Sequence, residues 1–336
     1  MSSPDVIVIG AGVLGLCTAA ELGARGHAVT VVDPGGPNAS SVAAGMLAPA
    51  LECLSDAATP ERAGLLLRAR DLWPEFAVRF GLNLHRDGVE WRGPEPEAAA
   101  ARLTAFGVEA RLTADGVFTP DDWRVEVGPA LQVLSRAEGV AIQHATVSRL
   151  TGEDRRWRVQ ASDGRVWFAP TVVLATGAAA APEGTPDHVA ARVARIEPWR
   201  GQLTPVFGPS PAHTLRAPGG LYVAPTPGGM LIGATMERGR RDLAPDPETT
   251  RRQIEAGRAL SGLEGRPGEP RVGVRGGAPD GLPLAGASGE PGLHLALAPL
   301  RNGWLLGPMV GRIVADGIEG EAPIADATAF DPLRFG

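Results

Sequence analysis

Three glycines and one aspartate near the N-terminus have the types and spacing to do chemistry. Gly10-x-Gly12-x-x-Gly15 follows the apolar run Asp5 to Ile9 and leads into a helical pattern through Gly23. In that setting Gly10 permits a tight turn and Gly12 lets the backbone approach a pyrophosphate. Gly15 lets the helix pack closely on the strand, and the helix N-terminus offers unpaired N–H groups to the anion. A second strand, Ala28 to Val32, ends at Asp33, just before Pro34, where a carboxylate can accept hydrogen bonds from a ribose. An acid at that position argues for an unphosphorylated ribose, as in FAD or NAD. A glycine-rich turn with no ligand is the competing reading.

Composition narrows what surrounds such a site. The chain has 336 residues, room for about two domains, and 44% of them are hydrophobic, as in an ordinary soluble enzyme. It contains no lysine, which excludes a pyridoxal phosphate aldimine and the lysine of a nucleotide-triphosphate loop. The net charge of −6 gives no electrostatic reason to expect nucleic acid. Its two cysteines, Cys17 and Cys53, have neither metal nor disulfide spacing, so no metal is expected and packing is the expected role of each. No apolar run approaches the roughly 18 residues of a spanning helix, and the first strand occupies the N-terminus in place of a basic leader. A cytoplasmic protein without a membrane span is expected.

The remaining elements must position the dinucleotide against something to react. Periodicity predicts a helix over Glu61 to Phe80 broken near Pro74, a strand over Leu84 to Trp91, a helix over Glu95 to Phe106 and a strand pair over Ala110 to Phe118. It predicts a helix over Trp123 to Arg136 capped by Asp121 or Asp122, a strand over Val140 to Arg149, and a hairpin of Trp157 to Ala161 with Val166 to Ala169. Strands are expected over Val172 to Ala175, Arg192 to Val206, Leu221 to Ala234 and Leu293 to Leu297. Helices are expected over Pro247 to Leu263 and Pro308 to Ile318, with a turn over Arg301 to Leu306 and a linker over 264–270. The apolar strands near 172 and 293 are those a parallel sheet would take. The expected fold is α/β, α+β overall: a Rossmann-like dinucleotide-binding domain and a second, mostly antiparallel β substrate domain. The first is discontinuous, built from 1–82, 140–190 and 270–336; the second comprises 83–139 and 191–269.

Only one stretch has the dinucleotide fingerprint in strand, turn and helix context, which argues against enzymes that use NAD(P)H to reduce a flavin. If the site holds FAD, the organic substrate must reduce it.

Four segments carry a resemblance. Ala39 to Leu47, Tyr222 to Met236, Val274-Arg275-Gly276-Gly277-Ala278-Pro279-Asp280-Gly281 and Arg301-Asn302-Gly303 are similar to the D-amino-acid oxidase superfamily, and within it to the glycine oxidase branch associated with thiamine biosynthesis. The resemblance covers nearly the whole chain in order. It implies non-covalent FAD, since the Arg275 segment has no cysteine of the kind related sarcosine oxidases use for attachment.

The same resemblance implies cofactor contacts from Gly10, Gly12, Val13, Gly15, Asp33 and Pro34, then from Ser40, Ser41, Ala44, Gly45 and Met46. Further contacts are implied from Val147, Ala175, Thr176 and Gly177, and from Asn302, Gly303, Trp304 and Leu305. Ser40 to Leu47 would pass beneath the flavin ring, with Gly45 allowing close approach. Arg275 is implied as the carboxylate-binding arginine, with Tyr222 and Arg301 beside it and Met236 lining the pocket. Such a pocket needs no side-chain base if the amine is deprotonated and hydride leaves carbon.

Each assignment has a structural alternative. Arg275 could pair with Asp280 or a surface acid, Tyr222 could be a core residue satisfied locally, Met236 could be plain packing, and Arg301 could contact FAD or hold its loop instead of touching substrate. Three positions depart from the family: Ala298-Pro299-Leu300 replaces a Gly-His-aromatic lead, Gly276 an expected proline, and Thr226 a basic residue. All three are expected near the pocket or flavin edge, where they bear on substrate size.

The expected reaction is oxidative deamination of glycine or another small amino acid, D- or N-substituted forms included, with O2 as acceptor. A same-fold dehydrogenase using a quinone or protein acceptor, or a flavin-binding protein without turnover, are the alternatives. Homo-oligomerisation is left open.

Overall fold

A computed structural model describes residues 4–54 and 58–335. Its six-stranded sheet runs in the order Leu284–Ala287, Leu293–Leu297, Thr171–Leu174, Val6–Ile9, Val29–Asp33, Val140–His144. All neighbours are parallel except the first pair. Strands buried on both faces need continuous apolar sequence, and Val6–Ile9 and Leu293–Leu297 are buried along their whole length. The helices Val13–Ala24 and Gly303–Glu319 pack on each other within the largest hydrophobic cluster. A second cluster joins this sheet to the three-stranded meander Val147–Glu153, Arg156–Ala161 and Val166–Ala169.

The other large sheet has ten strands and is mostly antiparallel. Glu197–Phe207 is its long central member, paired with Gly229–Gly233 on one side and with Arg271–Gly277 on the other. From Gly229–Gly233 the order continues through Tyr222–Thr226 and Thr214–Arg216 to Val89–Trp91, the last step being parallel. The fold is therefore a mixed α/β architecture in which a Rossmann-like parallel sheet stands beside an antiparallel one.

Several elements differ from the sequence expectation. The Trp123 to Arg136 helix is instead a strand, Trp123–Val125, followed by a helix at Val127–Leu134. The strand is drawn into a small sheet between Met46–Leu47 and Leu84–His85, whose pairing outweighs local propensity. Asp122 does not cap Val127–Leu134; it is buried, and Oδ1 accepts from Ala50 N, in the first turn of the helix Pro49–Glu52, at 3.1 Å. Residues 187–194 form a helix, Asp187–Ala194, so the following strand starts only at Glu197. Val140 to Arg149 divides between two sheets. The linker contains the two-residue strand Arg266–Pro267. The last helix begins at Gly303, so the expected turn over Arg301 to Leu306 is mostly helix and Pro308 lies inside it. Packing on Val13–Ala24, with Gly307 against Cys17, holds that helix despite the missing proline donor.

Candidate active site

The cleft begins at the end of the first strand. Gly10 has φ of +115°, and a Cβ there would lie 2.3 Å from the Ala175 carbonyl oxygen, so only glycine fits. Gly12 is different: a Cβ on it would meet only Ser40 Oγ, at 3.4 Å, which leaves that side open toward the cleft. Gly12 is also the N-cap residue of Val13–Ala24 and supplies no side-chain cap. Ser40 Oγ accepts from Val13 N at 2.9 Å, while the remaining donors of that first turn have no partner within the helix. Asp33 accepts from Ala11 N and Gly35 N, each at 2.7 Å, so its carboxylate is fixed at the strand end.

From there three adjoining clefts form one trough. The first is walled by Asp33, Pro34, Val147, Thr176 and Gly177. It shares Gly12, Ser40, Ala175 and Gly177 with the second, which in turn shares Ala43, Arg275, Arg301 and Trp304 with the third. The third is bounded by Ala44, Gly45, Met46, Tyr222, Met236 and Asn302. Thr176 Oγ1 is buried beside the first cleft without a hydrogen-bond partner. An anchored carboxylate, uncapped helix donors, an open glycine and an orphaned hydroxyl in line fit an extended dinucleotide.

Not every residue expected at the cofactor faces this trough. Gly15 sits against the Gly10 carbonyl, where a Cβ would be 2.1 Å away, and serves helix packing. Ser41 donates to the Asn38 carbonyl and accepts from Asn38 N, closing a capping box. Leu305 is buried in the core, and its carbonyl accepts from Trp73 Nε1. Gly45 lines the trough, but its close approach is to protein: φ is +72° and a Cβ would lie 2.1 Å from Val125 O. Thr226 ends its strand at the hairpin turn, four residues from Tyr222 and so roughly 13 Å along the strand, which explains why it borders none of the three clefts.

At the far end Arg275 lies across Gly201, where a Cβ would be 2.2 Å from Nη1. The missing side chain at Gly201 is the slot that holds the guanidinium. Arg275 Nη1 meets the Thr235 carbonyl at 3.4 Å and Met236 Sδ at 3.3 Å, and no acid among the described residues pairs with it. Asp280 is not its partner, because Arg334 holds that carboxylate at 2.8 and 3.0 Å. Burial pulls the Arg275 guanidinium below its ordinary pKa, and the nearby Arg301 charge acts in the same direction.

Tyr222 is buried, pairs in register with Gly233, and its hydroxyl makes no hydrogen bond among the described residues. Burial raises its pKa, so the hydroxyl stays protonated and able to donate. Arg301 donates from Nε and Nη2 to Glu52 Oε2 at 2.8 and 2.5 Å.

Sequence reasoning missed three features here. Glu52 closes the helix Pro49–Glu52 and brings a carboxylate to the pocket. Arg216 lies opposite Tyr222 in register, on a strand too short to read from periodicity. Ala298 and Leu300 have φ of +61° and +50°, a strained conformation for such residues, and Leu300 N donates to the Gly276 carbonyl at 2.8 Å. The departure at Gly276 has a packing reason: a Cβ there would lie 2.8 Å from Ile196 Cγ2 and 2.9 Å from the Gly177 carbonyl oxygen, so a larger residue would not fit.

Residues 5–317 match the family model described as DAO, FAD dependent oxidoreductase. A glycine oxidase from Geobacillus kaustophilus (strain HTA426) is 29% identical over 98% of this chain and 97% of its own. The crystal structure of glycine oxidase from Geobacillus kaustophilus superposes with a TM-score of 0.86 at 28% identity, covering 99% of each chain. A D-amino-acid oxidase from Streptomyces coelicolor is 30% identical over 88% of this chain and 93% of its own. Among the described residues no His, Cys, Asp and Glu cluster suits a metal, and no helix is long and apolar enough to cross a membrane.

Proposed function

Since the chain belongs to the DAO family of FAD-dependent oxidoreductases, we propose that it oxidises a small amino acid to its imino acid. Hydrolysis then gives a 2-oxo acid and an amine, which is ammonia for an unsubstituted substrate. Dioxygen takes the two electrons and two protons and leaves as hydrogen peroxide. The observation that carries the reading is Arg275, a half-buried cation with no acidic partner among the described residues, at the end of the trough that starts at Asp33. FAD bound in the trough would supply the acceptor for the hydride that leaves Cα.

The chain's own residues then have separable tasks. Gly12, Asp33 and Thr176 border the nucleotide end, and Ala43 and Trp304 line the stretch between it and Arg275. Arg275 takes the substrate carboxylate through two parallel N–H donors, which fixes where Cα–H points. Tyr222 donates its hydroxyl to the same carboxylate, and Met236 supplies apolar wall beside it. Among the described residues Glu52 is the one carboxylate on the wall of the substrate cleft, and Arg301 donates to it, so this reading assigns no side-chain base and takes the substrate with its amine deprotonated. The domain division of 1–82, 140–190 and 270–336 against 83–139 and 191–269 is carried as part of this reading, with Arg275 on a strand that hydrogen-bonds into the antiparallel sheet.

Anaerobic titration of the flavoprotein with small amino acids tests the proposal: bleaching of the oxidised flavin band is expected, followed by peroxide on admitting air. Bleaching without peroxide would transfer the reading to a dehydrogenase, and no bleaching with any amino acid would end it.

A further inference from the structure

The substrate end of the trough holds more positive charge than one carboxylate needs. Among the described residues three guanidiniums, Arg216, Arg275 and Arg301, line the same cleft as a single carboxylate, Glu52. Glu52 is engaged by Arg301 through two donors. Arg275 has only a carbonyl and a thioether as neighbours in hydrogen-bond range. The Arg216 guanidinium makes no hydrogen bond or ion pair among the described residues, feeling the Glu52 and Asp122 charges only without direct contact, although the residue is half-buried. The second acid nearby, Asp122, is buried and already occupied by Ala50 N and Thr119 Oγ1. A half-buried guanidinium left without an acceptor is costly to the fold unless a ligand provides one.

The placement of Arg216 is set by the sheet. Arg216 pairs with Tyr222, and Tyr222 pairs with Gly233, so the three residues form one row across neighbouring strands, with the Arg216 and Tyr222 side chains on a common face and no side chain at Gly233. A Cβ on Gly233 would lie 2.6 Å from Tyr222 Oη, so the ring leans over Gly233. Arg216 is thus on the far side of the tyrosine ring from Gly233. The charges of Arg275 and Arg216 both act on the Tyr222 hydroxyl in the same direction, opposing the rise that burial causes.

We propose that Arg216 is a second anion subsite facing Arg275 across the cleft, and that the substrate is a small amino acid bearing a second carboxylate, on its side chain or on its nitrogen. This rests on the amino acid oxidase reading above. Arg275 takes the α-carboxylate and Arg216 takes the other, so the two unpaired cations of the cleft are neutralised together. Neutral amino acids bind through the first contact alone.

The experiment compares wild type and Arg216→Gln by kcat/KM in air. The substrates are both enantiomers of aspartate against asparagine, and iminodiacetate against N-ethylglycine, with glycine as reference. Wild type is expected to prefer at least one acid over its uncharged counterpart by ten-fold or more. Arg216→Gln should lower kcat/KM for that acid by about 10- to 100-fold, mostly through KM, and change glycine less than three-fold. Loss of activity on acid and neutral substrate alike would overturn the subsite and make Arg216 part of the first carboxylate anchor. If the variant does not fold, the wild-type comparison decides: equal kcat/KM for acid and amide overturns the proposal while the oxidase reading stands. Failure of every amino acid to reduce the flavin overturns both.

Discussion

Arg301 and Glu52 form a two-donor ion pair at 2.8 and 2.5 Å on the wall of the cleft that Arg275 and Tyr222 also line. The pair keeps a carboxylate beside the expected position of the substrate carboxylate without repelling it. Arg301→Leu unmasks that anion and should raise KM for an amino acid by about one power of ten, a figure held down by the partial exposure of Arg301. The double change Glu52→Gln with Arg301→Leu should recover most of the loss. Steady-state kinetics of the three variants checks this, and equal KM in the single and double variants would show that the unmasked charge is not what hurts.

Arg275→Leu should lower kcat/KM by one to a few powers of ten while leaving the bound-flavin spectrum in place. Arg275→Lys should recover little, because a point charge cannot reproduce two parallel donors and the Gly201 slot is shaped for a planar group. A Leu variant with wild-type kcat/KM would remove Arg275 from the site.

Gly10 and Gly12 belong to one fingerprint but should fail differently. Gly10→Ala collides with the Ala175 carbonyl and demands φ of +115°, so thermal unfolding should show a loss of stability. Gly12→Ala meets only Ser40 Oγ at 3.4 Å, so the chain should fold and instead lose FAD affinity, read as release of free flavin fluorescence on dilution. A Gly12→Ala protein with undiminished flavin retention would place the cofactor elsewhere.

Asp122 carries a pH signature. Burial lifts its carboxyl from 3.8 to about 7, against the pull of Ala50 N, Thr119 and the Arg216 and Arg70 charges. A raised pKa means the folded state binds the proton more tightly than the unfolded one. The stability this group contributes is therefore full below its ordinary value of 3.8 and lost as pH rises through about 7. Asp122→Asn keeps the shape without titrating. Urea unfolding from pH 4 to pH 8 should show wild type losing ground to Asp122→Asn by at most about 4 kcal/mol. Parallel curves would contradict a neutral Asp122.

What was legible in the sequence follows the range of the forces involved. The nucleotide end could be read because strand, glycines, helix and acid lie within one βαβ unit, where spacing along the chain is spacing in the fold. Arg275, Tyr222, Met236 and Arg301 were reached through resemblance, and the structure brings all four to one cleft. Glu52 and Arg216 were not legible, since their proximity to Arg301 and Tyr222 depends on tertiary contacts and cross-strand register. Trp123–Val125 was misread for a related reason: three residues pair into a sheet whose partners, Met46–Leu47 and Leu84–His85, are distant in sequence. Gly45 lines the trough, yet the close contact that requires glycine is to Val125 and not, as expected, to a ring passing above it.

Gly201 gives the cleft a means of changing its diet. Its bare α-carbon is the recess in which the Arg275 guanidinium lies, with no room for even a methyl group between them. A single-base change there would push the anchor outward and shorten the space available to a substrate without touching any residue that grips it.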